Sequence, residues 1–113
     1  MMNEYGERLD RNGYAPSILQ MDRGGPYCYL CLRNGSADPL NRHEVFGGAY
    51  RQKSKRLGLW VYLCHESCHQ GPNGVHRNPK LAHDLKQAAQ RAAMEFYGWN
   101  VEDFIREFGK NYL

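Results

Sequence analysis

Leu59-Trp60-Val61-Tyr62-Leu63-Cys64-His65-Glu66-Ser67-Cys68-His69 is the stretch whose reading decides the fold. Its first five residues are leucine, aromatic or β-branched, a composition that suits a pleated, buried strand, and Gly58 opens the run. The strand runs directly into the doublet Cys64-x-x-x-Cys68, so its end is a candidate metal knuckle. Cys28-x-x-Cys31 accounts for the remaining cysteines of the chain, and four thiolates are what a closed tetrahedral zinc site requires. Met1 to Arg8 carries acidic residues and lacks the apolar segment of a secretory signal. This predicts a cytoplasmic setting, in which paired doublets hold structural zinc rather than form disulfides.

Outward from this stretch, Leu40 to Phe46 alternates, with Leu40, Arg42, Glu44 and Phe46 on one face and Asn41, His43 and Val45 on the other. The alternation predicts a first strand, ended by Gly47-Gly48. The two strands would form an antiparallel hairpin, and zinc on Cys28, Cys31, Cys64 and Cys68 would tie the entry of the first to the exit of the second. The doublets stand further apart than the roughly 15 to 20 residues usual between zinc-ribbon knuckles. A loop over 47–58 accounts for the excess. That loop carries Arg51, Lys53, Lys55 and Arg56 with no acid among them, a candidate contact for nucleic-acid phosphates in a chain whose net charge is only +3.

Beyond Cys68 the glycines and Pro72 forbid a continuous helix until Asn78-Pro79, an N-cap followed by proline at the first helical position. Leu81, Leu85, Ala88, Ala92 and Phe96 predict a helix to about Tyr97 with an apolar stripe. Asn100 and Asp103 then start a second helix with Val101, Phe104, Ile105 and Phe108 along one side and Gly109 at its end. Residues 1–26 read as a loosely ordered arm and 27–113 as one α+β domain. No apolar run approaches the roughly 20 residues needed to span a bilayer, so no membrane is expected.

With the cysteines committed to zinc, His43 and Glu44 on the first strand and His69 and His76 after the second are left for chemistry. His65 reads as solvent-facing and His83 as a surface histidine of the long helix. Phosphodiester hydrolysis needs a base for water and a divalent cation on the phosphate oxygens. A strand histidine beside a potential ligand, facing further histidines and a basic segment, meets both needs.

At these residues the chain resembles the HNH endonucleases, the ββα-metal group. It is similar in particular to small phage-borne HNH proteins that read His-His-Ile-Phe-Gly-Gly or His-Glu-Val-Phe. These continue with a Gly-Leu-x-Val-x-Leu-Cys strand, Cys-His, Gly-Val-His and a terminal Phe-Gly-Lys-Asn-Tyr-Leu. The matching residues here are His43 to Gly48, Gly58 to Cys64, Cys68-His69, Gly74 to His76 and Phe108 to Leu113, within a span of about 26 to 113.

The resemblance implies a ββα-metal core with a four-cysteine zinc knuckle and two C-terminal helices. It implies a DNA endonuclease or nickase using one divalent ion (Mg²⁺, Mn²⁺ or Zn²⁺), encoded by phage or prophage in a bacterial host, in a recombination or replication context with phage or host proteins as partners. His69 matches the histidine the family uses as a metal ligand, and His76 is a further ligand candidate. His43 binds the ion with Glu44 as base, or Glu44 binds it while His43, the stronger base at neutral pH, activates water. Arg42, Glu44 and Tyr50 depart from the family pattern. They keep a second reading open, a non-catalytic zinc module that binds DNA or protein on the HNH scaffold.

Overall fold

The computed structural model describes residues 1–20 and 25–113. Two strands, β1 (Leu40–Glu44) and β2 (Trp60–Cys64), pair antiparallel from Leu40 against Cys64 to Glu44 against Trp60. The first strand is shorter than its alternation predicts. Although Val45 N still donates to Leu59 O at 3.0 Å, Val45 and Phe46 turn into the core.

The expected loop over 47–58 is instead a 3-10 turn (Gly48–Tyr50) running into a helix, α1 (Arg51–Arg56). Its Arg, Gln, Lys and Ser residues carry no helix breaker. Ser54, wholly buried, stitches it to both strands: its Oγ accepts from Phe46 N at 3.2 Å and donates to Leu59 O at 2.5 Å, while Leu59 N donates to Ser54 O at 2.8 Å. Gly58 then reverses the chain at φ +76°, and a Cβ there would strike the carbonyl oxygen of Pro16.

That approach belongs to a second difference from the sequence reading. Residues 1–20 contain no helix and a single isolated bridge, Met2 to Arg8, yet they are strapped across the hairpin tip. Asn3 Nδ2 donates to Arg56 O (2.6 Å), Ala15 N to Lys55 O (3.0 Å), Ile18 N to Gly58 O (3.0 Å) and Trp60 Nε1 to Ala15 O (2.7 Å). Backbone groups left over at the end of α1 and a buried indole supply partners that composition does not reveal. Of the rest of the predicted arm, positions 21–24 lie outside the described residues.

A short π-type turn (His65–His69) and a 3-10 turn (Val75–Arg77) lead to the two C-terminal helices, α2 (Pro79–Tyr97) and α3 (Val101–Phe108). Their ends are those the sequence predicts. Asn78 Oδ1 accepts from Leu81 N, Asn100 and Asp103 form a reciprocal capping box, and Gly98 and Gly109 take left-handed conformations.

The buried face of α2 differs from the predicted stripe. Leu85, Ala89, Gln90 and Ala93 are buried and Phe96 is half exposed. The buried Gln90 side chain explains the rotation: its amide donates to Asn111 Oδ1 and accepts from Tyr112 N, both at 2.8 Å, and so binds the C-terminal segment. On α3, Phe104 and Phe108 stack with centroids 5.1 Å apart and meet Phe46 at 5.5 and 4.7 Å, leaving Ile105 outside. Among the described residues no helix is long and apolar enough to cross a membrane.

Ser54→Ala leaves Phe46 N without its partner in the core and Leu59 O with Val45 N alone. It is expected to lower unfolding free energy by about 1–3 kcal/mol, read as a lower denaturant midpoint at unchanged slope.

Candidate metal centres

The Sγ atoms of Cys28, Cys31, Cys64 and Cys68 all lie within 4.8 Å of one another, with Cys31 and Cys64 at 3.2 Å. Tetrahedral zinc with bonds near 2.3 Å sets its sulfurs roughly 3.8 Å apart, so this cluster could hold a metal such as zinc. The first knuckle is a tight turn, with Cys28 N donating to Arg33 O and Leu32 N to Cys28 O at 2.8 and 2.9 Å. Leu32 sits there at φ +68°, the one non-glycine residue in that region among the described residues. The second knuckle is organised from outside: buried Asp38 accepts from Glu66 N, Ser67 N and Ser67 Oγ at 2.9 to 3.1 Å and pins the start of the turn that carries Cys68.

Electrostatics also favour a cation. Burial, and then the neighbouring sulfurs, push Cys64 upward and Cys68 up to about 12. Cys28 is held at about 7, because amides of Cys31, Cys64 and Leu30 outweigh its burial. A divalent ion would favour the thiolate forms that burial and neighbouring sulfurs oppose at Cys64 and Cys68.

The second cluster is built from imidazoles. His43 Nδ1 lies 3.3 Å from His69 Nε2, which lies 2.9 Å from His76 Nε2, and donor atoms of all three fall within 4.8 Å. His43 comes from β1, His69 from the last position of the π-type turn and His76 from the 3-10 turn anchored by buried Val75. Gly74 permits the return: a Cβ there would stand 2.9 Å from His69 O. Burial first, then His69 and His76, hold His43 down to about 4. His69 is lowered for similar reasons, and a neutral imidazole is the form that binds metal.

Glu44, expected to share the ion, is not part of this trio. As its place in the strand alternation dictates, its carboxylate, only 8% exposed, turns elsewhere and accepts from Arg51 Nε at 2.6 Å. It nevertheless lines the same cleft of about 320 Å³, together with Arg42, His43, Gly47, Gly48, Arg51, His69 and His76. Imidazoles therefore share one opening with the Glu44–Arg51 ion pair. Arg42, read from sequence only as a departure from pattern, reaches Asp10 at 2.7 Å and covers the ring of Tyr14 at 4.4 Å.

Of the four cations expected to contact phosphate, the helix brings only Arg51 to the cleft. Lys53 Nζ donates to Glu107 O at 2.9 Å, Arg56 pairs with Glu4 at 2.9 Å and Lys55 lies over the Tyr14 ring at 4.7 Å. Helical periodicity distributes them around an axis, whereas an extended loop would have left them side by side. His83 stays at the surface, its ring 6.3 Å from that of Tyr112. His65 is exposed but not unengaged, since its Nδ1 lies 2.6 Å from Asn41 Oδ1. Strand alternation already places Asn41 on the His43 face, but the sequence reading gives it no role.

No family model, curated protein or solved structure matches this chain.

Replacing Cys68 by Ser is expected to reduce bound zinc from about one equivalent per chain toward none and to lower the melting temperature markedly, because the thiolate set closes the hairpin. Elemental analysis of the purified variant, followed by thermal unfolding, checks both.

Proposed function

We propose that the chain is an HNH-type, ββα-metal DNA endonuclease or nickase that hydrolyses phosphodiester bonds with one divalent ion. The observation that carries this reading is the meeting of His43, His69 and His76 at ligand distances in a cleft whose lining also includes Arg42 and Arg51. The sequence resemblance accords with it. The cysteine cluster takes the structural zinc, and the imidazole trio takes the catalytic ion, Mg²⁺, Mn²⁺ or Zn²⁺.

In this reading the three neutral imidazoles hold the cation, which when bound supplies Lewis-acid stabilisation of charge on the phosphate oxygens. Arg51, 62% exposed, engages the DNA backbone electrostatically. Glu44 lies at the same cleft as the proton acceptor for water, consistent with the alignment in which His43 is a ligand. The biological setting, a phage or prophage recombination or replication step in the bacterial cytoplasm with phage or host proteins as partners, rests on the resemblance alone.

The rival is a zinc-stabilised module that binds DNA or protein without cutting. It is favoured by one observation. Tyr50, where relatives of this kind often carry asparagine, is packed against Phe108 at 6.0 Å and against Gly109, so its hydroxyl is committed to the α3 end.

Nicking of supercoiled plasmid in Mn²⁺ or Mg²⁺, measured beside duplex binding by anisotropy, separates the two. The nuclease reading expects His43→Ala to lose about 10²-fold or more in nicking, the usual scale for a group essential to proton or charge management, with binding retained. Wild-type protein that binds DNA and leaves plasmid intact under both ions supports the module. Arg51→Ala is expected to weaken binding and to shallow its dependence on log salt by roughly one phosphate contact.

A further inference from the structure

Three imidazoles make an ion site only if each turns an unprotonated nitrogen toward the same point. Nothing in the trio enforces that for His69, the shared member whose Nε2 faces both His43 Nδ1 and His76 Nε2. A neutral imidazole carries one proton, on either nitrogen. With the proton on Nε2, the ring would aim a hydrogen where the ion belongs.

The opposite edge of the ring carries the answer. His69 Nδ1 lies 3.2 Å from Asn41 Oδ1, and the same oxygen lies 2.6 Å from His65 Nδ1. A carboxamide oxygen only accepts, so both histidines must donate from Nδ1 to reach it. Asn41 is itself fixed in β1, opposite Leu63 of β2. His65 and His69 stand four residues apart in one turn, and His65 N donates to Pro39 O at 2.7 Å, just ahead of that strand. One oxygen can therefore serve both rings. In the structure the oxygen, rather than the amide nitrogen, faces both rings, and His65 makes the shorter contact. Reversed, the carboxamide would donate to both Nδ1 atoms and leave the proton of His69 on Nε2.

We propose that Asn41 is the positioning residue of the histidine site: through its side-chain oxygen it holds His69 in the Nδ1-protonated tautomer and fixes the ring plane, with His65 as the strut that orients the carboxamide. This rests on the metal-binding reading of the trio but adds a residue that touches neither ion nor substrate. Outer hydrogen-bond partners of metal-bound histidine act in this way and typically govern 10- to 100-fold in affinity.

The test uses the full chain as purified and compares Asn41→Leu, which removes the acceptor, with Asn41→Asp, which restores one. Long-range proton–nitrogen NMR correlations of the imidazoles report the tautomer without activity, and Mn²⁺ titration reports affinity. The expected result is His69 protonated on Nδ1 in wild type and Asn41→Asp. In Asn41→Leu the tautomers mix and Mn²⁺ affinity falls about 10- to 100-fold, with zinc content and melting temperature close to wild type. Wild-type His69 protonated on Nε2, or an Asn41→Leu protein with unchanged tautomer and Mn²⁺ affinity, overturns the role given to Asn41. Should Asn41→Leu fail to fold, the wild-type tautomer together with an Asn41→Ser comparison decides the question. Wild-type protein with the expected tautomer that takes up no Mn²⁺ overturns the ion reading of the trio instead.

Discussion

Antiparallel pairing of Leu40–Glu44 with Trp60–Cys64 is the constraint on which the remaining structure depends. A two-stranded hairpin is marginal by itself in water. It persists here because both ends are closed by different means. At one end the four cysteine sulfurs converge within 4.8 Å of one another. At the other, Ser54 ties α1 to both strands and the N-terminal segment crosses over Gly58. Only with the hairpin held rigid does His43, in β1, have a defined position relative to a turn that follows β2.

That turn couples the two clusters. Cys68 and His69 are adjacent, one facing the sulfur group and the other the imidazole group, and Asp38 anchors the turn from a third segment. The sulfur cluster therefore contributes more than stability. It sets the place from which His69 projects, and a shift of the knuckle would move an imidazole nitrogen by a comparable distance. The same economy holds on the other wall of the cleft, where Arg51 is delivered by the first turn of the helix that Ser54 locks to the sheet.

Much of this was readable in advance. The cysteine doublets, the apolar run ending at Cys64 and the caps at Asn78, Asn100, Gly98 and Gly109 are local signals, and each appears where its chemistry requires. The histidines were legible for a related reason, since metal-binding side chains with no other assignment stand out against a short chain. Less legible were features that depend on contacts across the fold. The basic segment became a helix whose Lys53 and Arg56 were claimed by Glu107 and Glu4. The face of α2 turned to bury Gln90, whose partners lie 21 and 22 residues away.

From its sequence alone this protein was bound to form a cysteine-rich α+β domain of two strands and C-terminal helices, because strand composition, ligand spacing and helix caps act over a few residues. Tertiary structure alone decided which polar groups meet. It placed Glu44 against Arg51 and away from the imidazoles, and brought Asn41 under His65 and His69. Hydrogen bonds and ion pairs reach only about 3 Å, so a partner's identity depends on where distant segments pack. Residue type announces a capacity to bind, and only the folded chain selects what is bound.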